Sequence, residues 1–318
     1  MKTSLTNIDS LIHARWVIPA EPLNTVLEHH SIAVHEGRIL DVLPSTEANE
    51  KYAAEVEHHL TDHALIPGLV NAHTHAAMSL FRGLADDLPL MDWLQNHIWP
   101  AESQWVNPEF VADGTRLAIA EMVRGGTTCF NDMYFYPDTV ARAAASCGMR
   151  ACVGLIVLDF PTVWANDANE YISKGLAVHD HYRADPLIKT VFAPHAPYTV
   201  SDEPLQHIRM LADELDIGIH MHVHETASEI DTAVELTGKR PLQRLQDLGL
   251  VSPDLIAVHM TQLSSSEISQ FATAGGHVVH CPESNMKLAS GICPLQDLLS
   301  AGVNVALGTD GAASNNAL

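Results

Sequence analysis

The stretch Leu65-Ile-Pro-Gly-Leu-Val-Asn-Ala-His-Thr-His75 constrains this chain most. An apolar run, Leu65 to Val70, ends in two histidines one residue apart. In a β-strand side chains repeat every second residue, so His73 and His75 point the same way. Two imidazoles on one face at the end of a buried strand make half of a metal site. Zinc takes three or four protein ligands, so the other half must come from elsewhere in the chain. With 20 histidines present, a single His-x-His carries little alone. The placement of the other reactive residues decides its meaning.

From Leu65 onward, short β-branched runs alternate with helix-length amphipathic stretches. The runs are Leu65–His75, Thr127–Phe135, Arg150–Asp159, Ile188–Pro197, Gly218–Glu225, Leu255–Met260, His277–Asn285 and Asn304–Gly311. Between them lie Pro108–Arg124, Pro137–Cys147, Glu203–Leu215, Pro241–Leu248 and Ser264–Ala274. Eight strands with intervening helices predict a (β/α)8 barrel of the TIM type, whose active sites gather at the C-terminal strand ends. The reactive residues fall there. The first strand ends in His73 and His75, the fourth in His195, the fifth in His222, His224 and Glu225. The sixth ends in His259 and the eighth in Asp310. Histidines that merely pack or face solvent have no reason to prefer strand ends.

Residues 1–63 read as a small, incomplete, sandwich-like β domain, and residues 64–318 as the barrel. Ser10–Ile18 and Ser31–Val42 carry the strand pattern, and His35-Glu-Gly-Arg38 reads as a hairpin turn. His29, His30, His58 and His59 read as surface residues rather than ligands. Only Gly311 to Leu318 follow the eighth strand, so no eighth helix is expected and further C-terminal sequence is expected to belong to the fold.

Composition narrows the class. No apolar run approaches the ~18 residues of a membrane span, and Met1–Ser10 lacks a signal-peptide pattern. The five cysteines form no Cys-x-x-Cys pair, which predicts a reduced, cytoplasmic protein. A net charge of -22 argues against nucleic-acid binding through a basic surface.

Four groups suit a single zinc: His73, His75, His222 and Asp310. Three imidazoles and a carboxylate match Zn2+ with one added water, and iron or manganese stays open. A bound divalent ion lowers the pKa of water to about 7. Glu225 is the expected acid/base, its alternative being a carboxylate that orients a ligating histidine. Asp310 is expected to act as ligand and proton acceptor, and His259 to direct the attack. His224 is expected to support or pack. A two-metal site of this barrel type would need a bridging ligand, often a modified lysine ending the fourth strand. That position offers His195, and Lys189 sits near the strand start, so one metal is favoured.

With these residues placed, the sequence resembles the amidohydrolase superfamily, and within it the 5'-methylthioadenosine/S-adenosylhomocysteine deaminases. The matching stretches are Pro67–His75, Ala85–Trp93, Ile98–Glu102, Ala193–Tyr198, His222–Glu225, His280–Gly291 and Gly308–Asp310. The resemblance implies one Zn2+ per subunit on His73, His75, His222 and Asp310. It implies that Glu225 protonates purine N1 as hydroxide attacks C6, that Asp310 moves the hydroxide proton, and that His259 assists. It assigns Glu102 to the ribose hydroxyls, His195 to the purine edge and Arg150 to the substrate. Trp93, Trp99 and Trp105 are candidates for the pocket wall, with core packing the default for each. Ser284, Asn285 and Lys287 mark the family without a role read from the sequence. The implied reaction is zinc-dependent hydrolytic deamination of 5'-methylthioadenosine, S-adenosylhomocysteine or adenosine. Alternatives are a guanine, cytosine or s-triazine substrate, or a barrel that only binds. A small-molecule substrate, no nucleic acid, no membrane and a homo-oligomer complete the expectation.

Overall fold

The computed structural model describes residues 5–85 and 88–315, so Asp86 and Asp87 of the Ala85–Trp93 stretch lie outside the described residues. So do Met1–Ser4 of the N-terminal segment and the last three residues. The chain divides into two compact units, Met1–Gly68 and Leu69–Leu318.

The first unit is a four-stranded sheet of Thr6–Val17 (β1), Leu27–His35 (β2), Arg38–Pro44 (β3) and Tyr52–Leu65 (β4), in the order β3-β2-β1-β4. β1–β2 and β2–β3 pair antiparallel, and β1–β4 pair parallel. The hairpin expected at His35–Arg38 is present. Glu36 and Gly37 both have positive φ (49° and 72°), the signature of the type I′ turn that matches strand twist. A short helix, Ser45–Lys51, leads into β4, and neither was legible from periodicity. Ile8, Leu11, Ala33, Leu43, Ala48 and Tyr52 form the core of this unit.

Leu65 ends β4 instead of opening the first barrel strand. Pro67 has no N–H to give a ladder, so the run is cut there and restarts at Leu69. The second unit contains Leu69–Thr74 (β5), Thr127–Met133 (β6), Arg150–Val157 (β7), Ile188–Pro194 (β8), Ile219–Val223 (β9), Leu255–His259 (β10), His277–His280 (β11) and Asn304–Leu307 (β12). These eight strands lie in sequence order in one parallel sheet. The sheet curls until its two edges meet: Thr74 bridges Asp310, and the Asp310 N–H donates to the His73 carbonyl at 3.0 Å. A (β/α)8 barrel is therefore the fold.

Helices Pro108–Arg124, Pro137–Ser146, Asp202–Leu215, Pro241–Asp247 and Ser265–Ala274 follow the expected stretches within one residue at each end. The structure adds Ala168–Tyr182 and Ala227–Thr237. Both carried a readable start. Asp167 and Thr226 each accept the backbone N–H of a glutamate three residues on, Glu170 and Glu229. The seventh strand is shorter than expected, because Pro282 opens the helix Pro282–Lys287 and carries Ser284 and Asn285 onto it. No helix among the described residues is long and apolar enough to cross a membrane.

Candidate metal centre and active site

The C-terminal ends of β5, β9 and the turn after β12 bring His73, His75, His222 and Asp310 together. One ligand atom from each lies within 4.8 Å of all the others. His73 Nε2 is 3.2 Å and His75 Nε2 3.1 Å from Asp310 Oδ1, and His73 Nε2 is 3.2 Å from His222 Nε2. This closeness needs small residues beside it. A Cβ on Gly308 would meet the His73 Cβ at 2.9 Å, and one on Gly311 would meet the Met78 sulfur at 2.9 Å. Asp310 itself has φ 66°, a left-handed conformation that turns its carboxylate back over β5.

Tautomers test whether these residues fit a metal. His222 Nδ1 donates to the His195 carbonyl at 2.7 Å, and His75 Nδ1 to the Met133 carbonyl at 2.5 Å. A carbonyl can only accept, so in both neutral rings the proton sits on Nδ1 and Nε2 presents a lone pair. Those lone pairs converge with a carboxylate oxygen on one point, an arrangement that only a positive charge satisfies. Burial works against the Asp310 charge, yet His73 and His75 against it hold the carboxyl well below the usual range. Burial would likewise lower His75, but hydrogen bonding and charge from Asp310 raise it to about 9. Without an ion, Nε2 therefore takes up a proton at the place where a metal would sit, and the neutral, ligating ring is the metal-bound form. Borderline nitrogen donors with one carboxylate fit Zn2+.

Each of these groups is held from behind. His73 Nδ1 lies 3.1 Å from Nε2 of the fully buried His220. The Ser284 hydroxyl donates to Asp310 Oδ2 at 2.6 Å, and Gly311 N–H to Oδ1 at 2.9 Å. The Asn71 side chain bonds Thr309 through both its oxygen and its nitrogen.

Glu225 lies just past β9, buried, with Oε2 3.7 Å from His259 Nε2. Burial raises its carboxyl above the ordinary value, with His259 pulling the other way. Its turn is clamped. The buried Glu229 carboxylate accepts the Glu225 N–H at 2.7 Å and the His224 N–H at 3.2 Å, and Thr261 donates to the Glu225 carbonyl at 2.7 Å. Burial, and then the charge of Glu225, push Glu229 to about 8 against those bonds. His224 is a packing residue: it turns away and its Nε2 accepts the Leu242 N–H at 3.0 Å.

His259 Nε2 also lies 3.9 Å from Asp310 Oδ2, so it stands between the two carboxylates. Asn285 accepts its Nδ1–H at 2.8 Å. Sequence reasoning found no role for Ser284 or Asn285. Their roles come from the short helix after β11, which no periodicity announced. Asn285→Ala is expected to lower kcat by about 10- to 100-fold, the usual cost of losing a partner behind a functional histidine, with zinc content and KM nearly unchanged. Equal activity in the variant would reduce Asn285 to packing.

These groups border a cavity of about 570 Å³. Glu102, on the helix Trp99–Trp105, reaches its wall together with Tyr134 and His195. Burial pushes Glu102 up to about 7, while the Tyr134 hydroxyl and His75 draw it down. His195 presents its ring to the cavity with Nδ1 on Thr199 at 3.0 Å. Trp93 and Trp99 line the cavity as well. Trp105 does not; it is 58% exposed. Arg150 also falls outside. It opens β7 and is exposed, while the cavity lies past the other end of that strand. Its eight residues put roughly 23 Å between the two ends at 3.3 Å per residue. An arginine that begins a barrel strand faces the opposite mouth, so Arg150 does not reach a substrate in this cavity.

Comparison with known proteins agrees with the barrel and its donor set. The amidohydrolase family model matches residues 64–318. The chain belongs to the amidohydrolase family. It is a metal-dependent amidohydrolase, and zinc is the metal its donors fit. A protein of Saccharophagus degradans named 5-methylthioadenosine/S-adenosylhomocysteine deaminase is 52% identical, over 99% of this chain and 71% of its own length. A protein of the same name from Aquifex aeolicus is 42% identical over 90% of this chain and 66% of its own. A crystal structure described as an adenosine deaminase from Xanthomonas campestris with bound zinc superposes with a TM-score of 0.97. It is 56% identical, and the match covers 99% of this chain and 72% of that one. A guanine deaminase of C. acetobutylicum, at 22% identity and TM-score 0.84 over 96% of this chain and 75% of that one, shares the fold.

Proposed function

We propose that this amidohydrolase hydrolytically removes the 6-amino group of 5'-methylthioadenosine, with S-adenosylhomocysteine and adenosine as further substrates. The observation that carries this reading is Glu102, a second buried carboxylate on the cavity wall, outside the metal-ligand cluster. A free base has no use for it, whereas ribose offers two vicinal hydroxyls as donors. The names of the relatives support the same choice.

His73, His75, His222 and Asp310 would hold one zinc. When bound, zinc lowers the pKa of water to about 7 and so supplies a nucleophile at neutral pH. His195 meets the purine edge and Glu102 accepts from the ribose hydroxyls. Glu225 enters protonated, suited to this by its burial, and gives its proton to N1. That makes C6 electrophilic as the water oxygen bonds to it. Asp310 takes the water proton and passes it to the amino group. The C6–N bond breaks and ammonia leaves as the new C6 hydroxyl gives its proton back to Glu225, so the inosine analogue remains and Glu225 is protonated again. His259, between the two carboxylates, directs the oxygen towards C6. We place the enzyme in the cytoplasm as a homo-oligomer acting on a small molecule.

The test is ammonia release by the zinc-loaded protein with methylthioadenosine, S-adenosylhomocysteine, adenosine, guanine and cytosine at low concentration. The highest kcat/KM is expected for a 5'-thio nucleoside. Glu102→Ala should then lower kcat/KM for nucleosides by about 10- to 150-fold, the loss of hydrogen bonds to a charged group worth ~1.5–3 kcal/mol. Activity confined to free bases, or an undiminished Glu102→Ala variant, would defeat the nucleoside assignment and leave the metal chemistry standing.

A further inference from the structure

We infer that the N-terminal sheet carries a second divalent transition-metal site, formed by His13, His59 and Glu57. This inference does not rest on the proposed reaction. The three residues come together by register. β1 and β4 run parallel with His13 opposite His59 and Leu11 opposite Glu57. The two imidazoles stack with centroids 4.7 Å apart and planes 4° from parallel. The Glu57 carboxylate lies 3.3 Å from His59 Nε2. One ligand atom from each of the three lies within 4.8 Å of the others.

The second observation is an unpartnered atom. His13 is 8% exposed, and its Nε2 is buried with no hydrogen-bond partner. The other side of the ring fixes what Nε2 carries. Ser31, opposite His13 on β2, spends its single proton on the Ser45 hydroxyl at 2.8 Å. Its oxygen can then only accept, so His13 Nδ1 donates to it at 2.7 Å. His13 Nε2 is left as a bare lone pair, turned away from Ser31. A buried polar atom without a partner is costly. A ligating histidine whose other nitrogen is held by an oxygen is the arrangement metal sites use.

Two imidazoles and a carboxylate select Zn2+, Ni2+ or Cu2+ over Mg2+ or Ca2+. Zinc needs its donors about 2.0–2.2 Å away, so the ligand atoms must close by roughly 1 Å. His13 is fixed in the sheet. His59 and Glu57, with side chains 63% and 46% exposed, are free to make that movement, in which the His59 ring turns out of the stack so that its in-plane lone pair meets that of His13. With one buried and two exposed ligands, this site would bind less tightly than the barrel centre. It would clamp β1 to β4.

The experiment is a calorimetric titration of Zn2+ into the full chain already holding one zinc, with the same titration of His59→Gln, Glu57→Gln and His13→Gln. One further equivalent is expected to bind, and His59→Gln is expected to weaken it at least tenfold. Deaminase activity should be unchanged in that variant. His59 is exposed, so its replacement leaves the fold intact even if His13→Gln does not. A wild-type protein that saturates at one zinc would overturn the site. So would a second equivalent that persists undiminished in both His59→Gln and Glu57→Gln.

Discussion

Glu225→Gln is expected to keep its zinc and lose nearly all turnover, with kcat falling on the order of 10³-fold, within the range that a positioned acid/base contributes. Glutamine has the same shape, so the bond from Ser290 to Oε1 at 3.4 Å and the backbone bonds from Glu225 N and O survive the change. Glu225 is not among the four residues whose ligand atoms converge. What disappears is a proton that a buried carboxylic acid can deliver and an amide cannot. Metal analysis and ammonia release on the same sample check this. If metal and activity fell together, Glu225 would be a structural residue. If more than a tenth of the activity remained, another group would be the acid.

Asp310→Asn is expected to fail in the opposite way, losing metal and activity together, with kcat/KM below about one thousandth of the parent at equal zinc concentration. Asp310 is the one negative charge among three imidazoles. It accepts from the Ser284 hydroxyl and the Gly311 N–H, and His73 and His75 close on the same Oδ1. An asparagine must direct its NH2 either at Ser284, which is donating, or at imidazoles whose lone pairs should face a cation. Neither arrangement holds zinc well. Excess zinc should recover part of the metal and little of the rate, because the proton acceptor has also gone. Full recovery of turnover with added zinc would reduce Asp310 to a ligand only.

The two variants separate residues that looked alike in the sequence. Both are acids at the C-terminal end of a barrel strand, and the strand-end rule identified both. The difference between them comes from which neighbours point at each carboxylate, and those neighbours lie far away in the chain. Ser284 is 26 residues from Asp310, and His73 is 237. The same holds for Asn285, which sits where the sequence pattern extended a strand and Pro282 began a helix instead. Arg150 shows the converse error. A family resemblance suggested a substrate role, but the residue starts its strand instead of ending it.

The alternation of apolar strands with amphipathic helices, and the reactive residues at strand ends, determined the barrel and the metal-ligand candidates. These signals are local: a period of two, a period of 3.6, and a proline or glycine at the breaks. Tertiary structure decided what local pattern cannot carry. It put the proton of His75 and His222 on Nδ1 by facing each with a carbonyl. It stationed His259 between Glu225 and Asp310, and it aligned His13 with His59, more than forty positions further along the chain, on neighbouring strands. The physical reason is that donor direction, charge and burial depend on partners in space, and the closure of the barrel and the register of the sheet choose those partners.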